Sequence, residues 1–208
     1  MGQAGGARFE ALIIGAGPAG SAAAIGLARA GWALALVERQ RFPRREVCGE
    51  CIAAGNLPLL QRLGVGEAFA ASAGPALRQV TLWRSSQSVT AALPAADHGH
   101  GHHDQPLGDS HGHPGDAVPG YRPDHRPDHR PGPGQCGRAL GRERLDTLLL
   151  EQARSVGVEV LQPWSVQAIK GVAGAWHCDL HDVEATAIRR VRATLVIDAH
   201  GSQETKQF

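Results

Sequence analysis

FEALIIGAGPAGSAAAIGLARAGWALALVER, residues 9 to 39, reads as a strand, a glycine turn, a helix, a second strand and a closing acid. Phe9 to Ile14 is a short apolar run, and Gly15, Gly17 and Gly20 give the spacing G-x-G-x-x-G where a strand hands over to a helix. Gly15 permits the tight turn, Gly17 leaves the backbone open to a pyrophosphate, and Gly20 lets the helix lie close to the strand. Phosphates would sit at the helix N-terminus, where unpaired N–H groups and the positive end of the helix dipole favour negative charge. Pro18 suits that first turn, which asks for no intrahelical N–H bond.

The predicted helix runs to about Ala30, with Ala19, Ala22, Ala23 and Gly26 keeping it slim and Gly31 closing it. Trp32 to Val37 follows as a near-continuous apolar strand, the pattern of a parallel strand covered on both faces. Glu38 then stands 23 positions after Gly15, at the end of the second strand, where a carboxylate accepts the hydroxyls of an adenosine ribose. An ordinary βαβ packing unit would carry the same glycines, but the strand before, the helix after and the acid at this distance favour a dinucleotide site. A membrane span over residues 11 to 37 fits poorly, because the glycines and Pro18 interrupt the apolar run.

The chain has 208 residues and a formal charge of +1, which suits one soluble domain or two small ones. Balanced charge argues against nucleic acid or an anionic membrane as the main partner. The start, MGQAGGARFE, has no basic segment followed by an apolar one, and Gly6 stands where a myristoylation site needs Ser or Thr. A cytoplasmic location is expected, and the four cysteines are too few for a disulfide scaffold. Cys48 and Cys51 have C-x-x-C spacing, which fits a redox dithiol or half of a zinc site, although no partner pair lies at zinc-ribbon distance.

Five motifs in order make a more selective pattern: GAGPAG, the Val-Glu-Arg after the second strand, PRREVCGE at residues 43 to 50, GRERLDTLLLEQA from Gly141, and LVIDAHGS from Leu195. Together they resemble the FAD-dependent oxidoreductases that include geranylgeranyl reductases, flavin-dependent halogenases and aromatic hydroxylases. The likeness covers residues 9 to 93 and 136 to 202. It implies an α/β fold: a Rossmann-like FAD-binding sheet with helices on both faces and an attached β-meander. It also implies that Gly15, Gly17, Pro18, Ala19, Gly20, Glu38 and Arg39 surround the adenosine and pyrophosphate of FAD. Arg45, Cys48 and Gly49 would neighbour the flavin ring, Arg142 a phosphate or the ribityl chain, and Asp198 and Gly201 the second glycine motif. In that last motif His200 replaces the usual aspartate. The catalytic chemistry would belong to the flavin, so no catalytic acid or base is assigned. A small-molecule substrate is implied, with NAD(P)H or a flavin reductase as electron donor and no transmembrane segment.

Between the motifs, Ile52 to Ser72 reads as two short helices, with Pro58 starting the first, Leu59, Leu60 and Leu63 inward and Gly64 ending it. Leu77 to Trp83 and Val89 to Leu93 read as strands. Arg142 to Val156 is an amphipathic helix ended by Gly157, and Val158 to Gln162 a further strand of the nucleotide sheet. Ser165 to Lys170 and Ala175 to Leu180 read as a hairpin, with Val166 and Ala168 facing Trp176, Cys178 and Leu180. A third meander strand is expected near Ala187 to Arg192 and a separate buried strand at Thr194 to Ile197.

From residue 97 to 134 the chain carries eight His, eight Gly, seven Pro and six Asp in 38 residues. Such a stretch buries too little apolar surface to offset the entropy of ordering it, and it is expected to be disordered. The expected domain therefore comes in two pieces, 1–96 and 135–202, around this insertion, with a frayed tail at 203–208. His98, His100, His102 and His103, with Asp104 assisting, suit Zn²⁺, Ni²⁺ or Cu²⁺, but a flexible insertion or an out-of-frame stretch is the favoured explanation of the composition. In the resembled family a substrate-binding sheet and a Gly-Asp motif follow the second glycine motif. The expectation is a truncated FAD-binding portion, not active alone, with a non-catalytic fragment or a metal-binding protein as the alternative.

Overall fold

A computed structural model describes residues 6–46, 50–93 and 136–201. The expected disorder at 97–134, the frayed tail, and Cys48 and Gly49 all lie outside those residues. In chain order the elements are β1 (Ala7–Ile14), α1 (Pro18–Arg29), β2 (Leu34–Val37), β3 (Cys51–Ile52), α2 (Leu57–Leu63), α3 (Gly66–Ser72), β4 (Ala76–Leu77), β5 (Gln79–Arg84) and β6 (Gln87–Ala92). After residue 135 come β7 (Gly137–Ala139), α4 (Arg142–Ser155), β8 (Glu159–Leu161), β9 (Trp164–Val172), β10 (Ala175–Asp182) and β11 (Ile188–Asp198).

The fold class is the expected α/β one. Six strands pair in the order β8-β2-β1-β11-β10-β9, parallel from β8 to β11 and antiparallel through β10 and β9. The alternation of β1 divides the apolar residues between two cores. Ala11 and Ile13, with Leu34 and Leu36 of β2, pack against Ala24 and Ile25 of α1 and Leu145, Leu149 and Ala153 of α4. On the opposite face Leu12, Ile14, Ala35, Val37 and Leu161 meet Val166, Cys178, Leu180, Val191 and Ala193 of the meander. The short strands β3, β7 and β4 form a separate sheet, to which Arg138 ties α3 by donating to the carbonyls of Gly74, Ala73 and Ala70 at 2.8, 2.8 and 3.0 Å.

Four readings of the sequence need correction. The second strand begins at Leu34, because Trp32 is still in the turn, where Trp32 N donates to Leu27 O at 3.1 Å. Leu59 is 41% exposed; Leu60 and Leu63 are the buried residues of α2, with Leu57 partly buried against the same core. The separate strands expected at 187–192 and 194–197 are one, β11, since nothing between Arg192 and Thr194 breaks an extended chain. Its first half completes the meander and its second half pairs in parallel with β1. Finally, the register of β9 and β10 slips between Asp179 and Leu180, so Ile169 stands opposite Cys178 and Ala168 opposite Asp179. That bulge takes Ala168 out of the apolar set that simple alternation would give it.

Candidate nucleotide site

A cleft of about 370 Å³ opens where β1 and β2 end, lined by the glycine turn, the start of α1, Glu38, Arg39, Arg44, Glu46, Arg142, Trp164 to Val166 on β9, and Ala199 to Gly201. Placement at the carboxyl ends of parallel strands follows from the fold, because crossover helices begin there with their N–H groups exposed.

Backbone bonds lock the turn. Gly15 N donates to Val37 O at 2.8 Å, and Ala199 N donates to Ile14 O at 2.8 Å. Gly15 takes φ +96°, a conformation that favours glycine, and a Cβ there would also lie 2.6 Å from Ala199 O. Gly20 serves packing: a Cβ on it would lie 1.9 Å from Gly15 O. Gly17 is different in kind, since a Cβ there would meet only the guanidinium ends of Arg142 and Arg44, at 3.7 and 3.8 Å. Pro18 opens α1, and Ala19 borders the cleft beside it.

Glu38 is 3% exposed. One carboxylate oxygen accepts Ala16 N at 2.9 Å and the other accepts Gln40 N at 2.8 Å. Each oxygen keeps a lone pair, so the group remains able to accept a ribose hydroxyl.

Two arginines line the cleft with it. Arg142, the first residue of α4, donates Nε and Nη2 to Asp146 at 2.8 and 2.9 Å, and Asp146 is wholly buried. Arg44 is the residue that sequence reasoning missed. Its guanidinium lies 5.0 Å from the Phe42 ring centroid, pairs with Glu46 at 2.8 Å, and approaches Glu38 and Asp146 at 3.7 Å each. Arg45, expected at the cofactor, is exposed and does not line the cleft; one residue of register in an irregular loop decides between them. Only the pair of basic residues in PRRE was visible in advance.

Asp198 also differs from expectation. It ends β11 exposed, outside the cleft lining, and its carboxylate bonds the ring Nδ1 and the backbone N–H of His200. Ala199, His200 and Gly201 are the parts of that motif that reach the cleft. Cys51 is exposed and free, and among the described residues no group of three or more His, Cys, Asp or Glu is placed to hold a metal. Among them, too, no helix is long and apolar enough to cross a membrane.

Comparison with known proteins supports FAD as the cofactor. A family model described as FAD binding domain matches residues 8–205. The chain is 45% identical over 58 residues to a menaquinone reductase of Mycolicibacterium smegmatis, covering 28% of this chain and 14% of that protein. A myxobacterial chondrochloren halogenase, described as a variant of FAD-dependent halogenases, superposes with a TM-score of 0.69 at 20% identity, over 96% of this chain and 38% of its own. A flavoprotein/dehydrogenase from Cytophaga hutchinsonii gives 0.66 at 22% identity, over 93% and 39%. The chain thus spans well under half the length of these relatives.

The residues present fit FAD. The open face of Gly17, the N–H groups at the start of α1 and two guanidiniums suit a pyrophosphate, and Glu38 suits a ribose. The buried Nε–H of Arg44 has no hydrogen-bond partner among the described residues, an uncompensated donor at the edge of an anion cradle.

Proposed function

Because the chain belongs to the family of FAD-binding domains, matched over residues 8–205, we propose that it is the dinucleotide-holding part of a flavin-dependent oxidoreductase of hydroxylase, halogenase or reductase type. The observation that carries this reading is the convergence of Arg44 and Arg142 over the one glycine of the turn whose missing side chain opens onto the cleft. In this reading Glu38 accepts the adenosine ribose, the start of α1 and the two arginines take the pyrophosphate, and Ala199 to Gly201 border the remainder. Bound flavin supplies hydride transfer or oxygen activation, and the protein supplies position and charge. The substrate is a small molecule, the electron donor NAD(P)H or a partner reductase, and the location cytoplasmic. The names of the relatives support a redox role without choosing among substrates.

Titrating the chain with FAD while following flavin fluorescence tests the reading. Saturable binding, displaced by ADP and lost in Gly17→Val, is the expected result, since a β-branched side chain would fill the pyrophosphate's place. A Gly17→Val protein that still binds FAD as the parent does would overturn the assignment of the turn.

A further inference from the structure

Asp146 lies one helical turn inside α4, is wholly buried and does not line the cleft. Its carboxylate takes a two-point grip on Arg142 and reaches Arg44 Nη2 at 3.7 Å. One acid on a rigid helix thus meets guanidiniums from two segments about a hundred residues apart. Both stand within 4 Å of where a Gly17 Cβ would be, over the helix N-terminus. A buried carboxylate is costly unless paired, and packing alone would be served as well by an apolar residue of similar size. The two-point grip fixes the guanidinium plane of Arg142, and a shared acid keeps two like charges side by side.

We propose that Asp146 is a positioning residue for the pyrophosphate. It touches no part of the nucleotide and holds Arg142 and Arg44 at the spacing that two adjacent phosphates require. The proposal rests on the FAD-site reading above, and it makes a finer claim: Asp146 governs phosphate recognition and leaves the adenosine contacts alone. Glu38, which carries the ribose in that reading, is held by Ala16 and Gln40, and among the described residues its link to Asp146 runs through Arg44.

The test compares the affinities of FAD, ADP and adenosine in the parent chain and in Asp146→Asn, with calorimetry for the first two and ligand-observed NMR for adenosine. Asp146→Asn keeps the shape and loses the charge. ADP and FAD affinity should fall about tenfold to a hundredfold, the worth of a charge-assisted contact, while adenosine binding stays within about twofold. Arg142→Lys, which keeps the charge and loses the two-point grip, should lower the ADP-to-adenosine affinity ratio in the same direction and serves if Asp146→Asn does not fold. An unchanged ratio in a folded variant overturns the proposal, as does an equal loss of adenosine, which would mark Asp146 as merely structural. Failure of the parent chain to bind ADP or FAD at all would instead sink the FAD-site reading beneath it.

Discussion

Glu38 accepts the backbone N–H of Ala16 at 2.9 Å, so the acid that closes the second strand is bonded to the middle of the glycine turn. Its distance from Gly15 in sequence serves a fold contact, beside the ribose contact proposed for it. Removing the carboxylate takes the partner from two backbone donors, Ala16 N in the buried turn and Gln40 N at an exposed residue. Leaving the buried Ala16 donor unpaired costs about 1–3 kcal/mol, whereas water can serve Gln40. Glu38→Ala is therefore expected to lower the thermal midpoint markedly even with no ligand added, whereas Glu38→Gln, which retains one oxygen acceptor, lowers it less. Equal melting of Glu38→Ala and the parent in differential scanning calorimetry would show that this bond carries no weight in the fold.

Two glycines of the turn, Gly17 and Gly20, should separate by assay. Gly20→Ala puts a methyl group 1.9 Å from Gly15 O, a backbone atom that cannot swing away, so α1 must shift. Overpacking of this kind costs about 1–3 kcal/mol or more. Gly17→Ala meets nothing closer than 3.7 Å and is expected to melt like the parent while losing affinity for FAD. The pair is checked by melting and FAD titration on the same samples; a Gly17→Ala protein with full affinity would contradict a pyrophosphate at this position.

How much of this was legible in the sequence varies with how local the determinants are. The turn, α1 and the acid at Glu38 were readable because strand, glycine spacing and helix are fixed within thirty or so neighbouring residues. Arg44 was not singled out, because nothing local says which of two adjacent arginines an irregular loop turns inward; that depends on Phe42, Glu46 and Asp146. Asp146 was not singled out, since its partner Arg44 comes from another part of the chain. The slip beside Leu180 was equally hidden, because a bulge changes pairing without changing the alternation of residue types on either side.

Cys178 is buried between β9 and β11, and that burial, aided by the neighbouring Asp179 carboxylate, pushes its thiol up to about 11. A thiol in the unfolded chain ionises near 9, so between about pH 9 and 11 the folded state holds more protons than the unfolded state. Stability then falls as pH rises through that window, by at most about 1.4 kcal/mol per pH unit from this group. Cys178→Ala should flatten the alkaline limb of the unfolding free energy measured by urea titration. Thiolate reagents at pH 8 should modify exposed Cys51 far faster than Cys178. Rapid labelling of Cys178 in the folded chain would mean that the meander opens readily.

The last expectation concerns β5 and β6, which among the described residues pair only with each other. A lone two-stranded hairpin is marginally stable in water, and this one shows both faces to solvent. Its register places Val80 opposite Ala91 and Leu82 opposite Val89 on one face, with Leu82 and Val89 each 70% exposed. The other face carries Trp83, 73% exposed, and a hydroxyl contact between Thr81 and Thr90 at 2.9 Å. Open strand edges and contiguous exposed apolar side chains both favour association between copies. Leu82→Lys combined with Val89→Glu sets opposite charges across the strand pair, which keeps the cross-strand contact favourable and removes the apolar patch. Sedimentation velocity is expected to show less self-association in the double variant than in the parent. The melting temperature should hardly move, because neither residue belongs to the two cores around the six-stranded sheet and exposed substitutions usually change stability by no more than about 0.5 kcal/mol. Unchanged association would locate the sticky surface elsewhere, and a large fall in melting temperature would show that the hairpin is packed against the rest of the chain after all.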